Sequence, residues 1–326
     1  MRSLIALFLF ATLSLGVASA QSLSGPVEGF LFDAPTQSLR AVDGFPGSAT
    51  FGPALLSQVT FGSVAPYKNY AIVFQSGHSL FLSALGSGHL STTSLTGVVG
   101  EPNGIVWSAD SSVAVLYSSS GNWIQTVSGL PKTPHVNSHL TLSPLGGTLA
   151  DVAADLDGKK IAIAMRGPKG GVFLNMASQK FVPLLAMENP MALSFSEDGS
   201  DLYALDGTAL KLSSITIGNS SLRVLPLTGL KDPFAIRAGH DTSNRPVVFV
   251  ASLKDQRVGV YNPTSEKIQT TIHLGFKPTG LQDLGPNSFV IGSRSKPGDP
   301  LWLFSTAPKA AVYFVPALPS SSKGVE

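Results

Sequence analysis

The chain contains no cysteine. That one absence excludes disulfides, thiolate nucleophiles and cysteine-bound metals. Charge is also scarce: 13% of the 326 residues are charged, 22 basic against 20 acidic, a net +2. No basic run exceeds Lys159-Lys160. Nucleic-acid affinity follows the number of phosphates neutralised, so a nucleic-acid partner is not expected. Beyond residue 20, no apolar run approaches the ~20 residues that a membrane-spanning helix requires, and no stretch sustains a helical period. What is present is 43% hydrophobic residues, too many for a disordered chain, together with 33 glycines and 23 prolines that follow no collagen-like period. A chain of this length buries enough surface to fold without a metal or disulfide staple.

Residues 1–20 read as a secretory signal. Arg2 is the positive start, residues 4–17 form a short apolar run, and Ala18-Ser19-Ala20 is a small-x-small cleavage site that leaves Gln21 first. The expected organisation is a signal peptide over 1–20, one domain over 21–318 and a polar tail over 319–326. The expected location is periplasmic or extracellular, with no membrane span left after cleavage and a monomeric product.

The rest of the chain repeats. Pro102-Asn103-Gly104-Ile105, Pro190-Met191-Ala192-Leu193, Pro233-Phe234-Ala235-Ile236 and Pro278-Thr279-Gly280-Leu281 share the pattern Pro-x-small-apolar. Pro53-Ala54-Leu55-Leu56 is a looser copy, and Leu149-Ala150-Asp151-Val152 keeps the phase without proline. Asp110, Asp157 and Asp198 each follow the start of their unit by the same interval and mark a turn. Apolar runs such as 113–117, 161–165 and 247–251 come next, and alternating runs such as 267–274 close the unit. Four short strands in roughly 45 residues is the size of a propeller blade. The prediction is an all-β propeller of six or seven four-stranded antiparallel blades, seven being preferred. Unit starts fall at 53, 102, 149, 190, 233 and 278, with a leading hairpin over 28–45.

The segment Tyr261-Asn262-Pro263-Thr264-Ser265-Glu266-Lys267-Ile268-Gln269-Thr270-Thr271-Ile272, followed by Gly275, Pro278 and Gly280, resembles the YVTN-type, surface-layer-like β-propeller repeat. Residues 32–42 resemble its first half. Asn262 stands where that repeat has Asp. The resemblance implies a seven-bladed fold and leaves function open.

Two sets of residues carry candidate chemistry. Glu101, Asn103, Glu188, Asn189 and Asp232 flank the repeating prolines, which places them at one mouth of the central channel. There they are either turn formers or a calcium site, since a hard cation takes carboxylate and amide oxygens. A bound calcium would polarise a lactone carbonyl, as resemblance to six-bladed lactonases of another propeller family suggests. Arg166, Arg237 and Arg294 are candidate anion-binding groups. His135 and His139 lie about 13 Å apart in a strand and do not share a metal. Trp107, Trp123 and Trp302 are read as packing between blades. No Gly-x-Ser-x-Gly or Walker motif occurs. The reading is an exported binding or scaffold module for an unidentified protein or small molecule. A lactonase-like hydrolase and a cell-surface structural protein are the alternatives.

Overall fold

The computed structural model describes residues 25–176 and 180–317. The expected signal peptide and polar tail lie outside the described residues. Seven antiparallel sheets follow one another along the chain and close into a ring. The first holds β1 (Val27–Asp33), β2 (Ser38–Asp43) and β3 (Thr50–Ser57). The second holds β4 (Val59–Val64), β5 (Tyr70–Gln75), β6 (His78–Ser83) and β7 (Ser91–Ser94). The third runs β8 (Gly104–Trp107), β9 (Ala114–Ser118), β10 (Trp123–Ser128), with its fourth position split between β11 (His135–Val136) and β12 (Leu140–Thr141), both on β10. The fourth is β13 (Thr148–Ala154), β14 (Lys160–Arg166), β15 (Gly171–Met176) and β16 (Val182–Ala186). The fifth is β17 (Pro190–Phe195), β18 (Asp201–Asp206), β19 (Lys211–Thr216) and β20 (Ser221–Pro226). The sixth is β21 (Pro233–His240), β22 (Pro246–Ser252), β23 (Arg257–Asn262) and β24 (Lys267–His273). The seventh is β25 (Gln282–Gly285), β26 (Ser288–Gly292), β27 (Leu301–Ser305) and β28 (Ala311–Val315). This is a seven-bladed β-propeller. No helix among the described residues is long and apolar enough to cross a membrane.

The core lies between blades. Seven apolar clusters form, one at each blade interface. Trp107 of the third blade packs on Tyr70 of the second, and its indole N–H donates to Ser63 Oγ at 2.9 Å. Leu31 and Val42 of the first blade meet Leu284, Val290 and Leu303 of the seventh, so the same burial that joins successive blades also seals the ring.

The repeating Pro-x-small motif has a structural meaning. In β17, Pro190 pairs with Asp206 and Ala192 with Leu205, so Met191 is an extra, bulged residue. In β21, Pro233 pairs with Ser252 and Ala235 with Ala251, leaving Phe234 bulged. β4 and β13 shift register in the same way near their starts. A bulge turns the strand more sharply, and proline suits its start because it has no N–H to place in the ladder. The Asp turns are closed by side chains. Ser108 Oγ donates to Asp110 Oδ1 at 2.8 Å and accepts the Val113 N–H at 3.0 Å. Ser196, Asp198 and Asp201 repeat the arrangement in the fifth blade.

The first blade departs from the expected partition. Pro53 sits on the outer strand β3, and the inner strand of the second blade is β4, so residue 53 does not start a unit. The leading hairpin is β1 and β2 of the first blade itself. β1 also runs the opposite way to its neighbours at the axis. Its first turn lies beside the end of β25, where Ser288 Oγ donates to the Glu28 carboxylate. Its last residue, Asp33, meets Arg294, which follows the far end of β26, at 3.1 Å. Gln37, just past β1, accepts the N–H of Val59 at the start of β4. Among the described residues, the ring therefore closes blade against blade, with no C-terminal strand inserted into the first sheet.

Candidate functional site

The inner strands β8, β13, β17, β21 and β25 all run from the proline-bearing end of the channel to the end where the Asp turns gather. The five residues expected to form a cation site lie at the proline end. Glu101 and Glu188 are exposed there. Asn103 Oδ1 accepts the Ser119 N–H at 3.0 Å. The Asn189 carbonyl accepts from Gly207 N–H, and the Asp232 carbonyl from Leu253 N–H. These are strand-end and hairpin contacts. Among the described residues, no three of His, Asp and Glu gather at metal-ligand spacing.

The three arginines lie in three different places. Arg294 is buried, paired with Asp33, bonded to the Pro297 carbonyl and stacked over Phe51 at 4.6 Å. It holds the seam between the seventh and first blades. Arg166 donates to the Pro190 carbonyl at 3.1 Å and joins the fourth blade to the fifth. Only Arg237 reaches the opposite mouth, where it lines a cavity.

That cavity, of about 500 Å³, opens at the Asp-turn end of the channel and is walled by residues of six blades. Its walls include Val106, Leu156, Phe195 and Phe289, and its polar groups include Tyr67, Ser194, Glu197, Arg237, His240 and Asp283. The inner edge of a propeller strand has free N–H groups facing the channel, and these need partners. Side chains from the preceding blade supply them. Asp151 Oδ2 accepts the Leu193 N–H at 2.7 Å, and Ser194 Oγ accepts the Ala238 N–H at 3.0 Å. The next step around the ring is ionic: Arg237 Nε donates to Asp283 Oδ1 at 3.2 Å, and Nη2 bonds Oδ2. At the rim, His240 Nδ1 lies 3.0 Å from Glu197 Oε1.

This arrangement shifts the ionisations. Burial pushes the Asp151 carboxyl up to about 6, against the opposing pull of the Leu193 N–H and the Arg237 and Arg166 charges. Burial, then Asp283, holds the Tyr67 phenol well above its usual range. Burial works against the Arg237 charge, but Asp283, Tyr67 and Asp151 outweigh it and keep the guanidinium above its ordinary value.

Motif spacing drew attention to the proline mouth, and the cavity lies at the other. The signal that marks this one is an ionisable residue inside an inner-strand segment, where an apolar or small residue is expected: Asp151 in Leu-Ala-Asp-Val, Arg237 in Ala-Ile-Arg-Ala and Asp283 in Leu-Gln-Asp-Leu.

No family model matches the chain, and no curated protein matches it. Solved structures do. The chain is similar to a structure described as a nidogen/laminin complex, at 15% identity, with 77% of this chain and 96% of that one covered and a TM-score of 0.51. It is similar to the hydrazine synthase of Kuenenia stuttgartiensis, at 13% identity, covering 68% and 69%, with a TM-score of 0.50. A protein of unknown function from Desulfotomaculum acetoxidans matches at 14% identity, covering 76% and 78%, with a TM-score of 0.55. At such identities the likeness is one of fold, and function must be argued from the site.

Proposed function

We propose that this chain is an exported binding module that takes its ligand at the Asp-turn mouth of the channel. The observation that carries the reading is the mouth cavity. Its volume of about 500 Å³ falls in the range typical of small-molecule sites, and apolar walls with a few convergent polar groups are what such sites present. The Arg237–Asp283 pair at its floor is held by two hydrogen bonds and gives the cavity a fixed polar landmark. Export rests on the signal-like sequence of residues 1–20. Kinship with the YVTN-type repeat is part of the same proposal. It is supported by the turn after Tyr261, where Asn262 Oδ1 accepts the N–H groups of Thr264 and Ser265, the job the Asp of that repeat can do.

Ala109 is exposed and lines the cavity, so Ala109→Trp fills the mouth from a position that tolerates bulk. A ligand-observed NMR screen of chemically mixed fragments should find binders to the wild type that the variant loses. A screen with no binders, or with binders indifferent to Ala109→Trp, overturns the reading. Export is checked by mass spectrometry of the secreted product, expected to begin at Gln21.

A further inference from the structure

We infer that the mouth cavity selects a small amphipathic cation, an ammonium group on an aromatic or aliphatic body. This rests on the binding reading above and adds the class of ligand. The charged side chains lining the cavity are Glu197 and Asp283 against Arg237, two carboxylates to one guanidinium. Arg237 is the group that would attract an anion, but Asp283 already occupies its Nε and Nη2 donors. An anionic ligand is left the remaining Nη hydrogens, beside a carboxylate that is 8% exposed and already offsets the guanidinium charge.

Glu197 is different. Its side chain is 58% exposed at the rim, and its partner is the His240 ring at 3.0 Å. While that imidazole is neutral, its N–H orients the carboxylate without cancelling the charge. One negative charge is then left uncompensated at the opening. The walls complete the match. Val106, Leu156 and Phe195 offer apolar surface to the body of a ligand. Tyr67, 49% exposed, lines the same cavity and adds an aromatic ring, a group that attracts cations. Behind the floor, Asp151 lies near Arg237 and adds a further carboxylate.

The test is isothermal titration of the intact propeller at about pH 8 with phenethylammonium, 3-phenylpropan-1-ol and 3-phenylpropionate. These probes share a phenyl ring and differ chiefly in charge. The ammonium is expected to bind at least about fivefold more tightly than either of the others, and less tightly as salt rises. Glu197→Gln should remove about fivefold from the ammonium affinity and leave the alcohol unchanged. Because Glu197 is exposed, that variant should melt with the wild type, which separates lost charge from lost fold. Tighter binding of the propionate, equal binding of all three, or no binding of the ammonium overturns the inference. If the propionate binds and Ala109→Trp abolishes it, the mouth remains the binding site and only the ligand class falls. If no probe or fragment depends on the mouth, both readings fall.

Discussion

Asp151 is a carboxylate placed where its charge is costly. Its oxygen holds the Leu193 N–H of the next blade, and burial raises its carboxyl from 3.8 to about 6. Between those values the folded chain keeps a proton that the unfolded chain has released. Stability therefore falls as pH rises from about 4 to about 6 and is level above that. Asp151→Asn keeps an acceptor for the Leu193 N–H and removes the charge. Its melting temperature should exceed the wild type's near pH 7.5 by an amount worth on the order of 1–3 kcal/mol, and the gain should vanish near pH 4. Thermal melts at both pH values check this. A change of equal size at the two would show that ionisation is not the cause.

Within the blades, the turn from the first strand to the second is a small folding unit of its own. Ser108 is fully buried and serves as donor to Asp110 and acceptor for Val113 N–H. Ser108→Ala leaves both groups without that partner and should cost about 1–2 kcal/mol. Ser196→Ala in the fifth blade should cost less, because Ser196 is only half-buried where Ser108 is fully buried. The fourth blade separates the third from the fifth in the ring, so the double variant should show the sum of the two losses in denaturant melts. A strongly non-additive result would mean that the blades are coupled through the ring rather than pairwise. These turns were legible in the sequence because Asp110, Asp157 and Asp198 recur in phase, and the inner strands were legible through Pro-x-small-apolar. The bulge that explains the motif was not, since a residue inserted on one strand shows only when its partner strand is known. Arg237 and Asp283 were hidden for a related reason. They lie 46 residues apart, and only the ring brings their strands together.

The ring as a whole depends on its seam. Asp33 and Arg294 each have 1% of their side chains exposed, and Arg40 also faces Asp33, at 3.8 Å. Arg294→Ala leaves the buried Asp33 carboxylate with the Thr36 hydroxyl and a more distant cation, Arg40, and should cost about 2–4 kcal/mol, lowering the melting temperature by roughly 5–10 °C. Calorimetry checks the size, and limited proteolysis should find the first blade cleaved before the others. A variant that melts like the wild type, with cleavage spread evenly, would place the seam's strength in the apolar contacts of Leu31 and Val42 instead. The blade count was within reach of the sequence, but the polarity of the first blade was not. Alternation along a strand reads the same in either direction, and residues 28–45 carry no proline motif to orient them.

The reversed first strand also shapes what can approach the molecule. Because β1 runs against its neighbours, it delivers no Asp turn to the mouth, and among the described residues none of the first blade lines the cavity. Among the described residues the rim is a horseshoe of six turns, running from Tyr67 of the second blade to Asn287 of the seventh. A sevenfold rim would offer an incoming molecule seven equivalent orientations. Among the described residues this one is lopsided instead, so the six turns fix the orientation of an incoming molecule relative to the first blade.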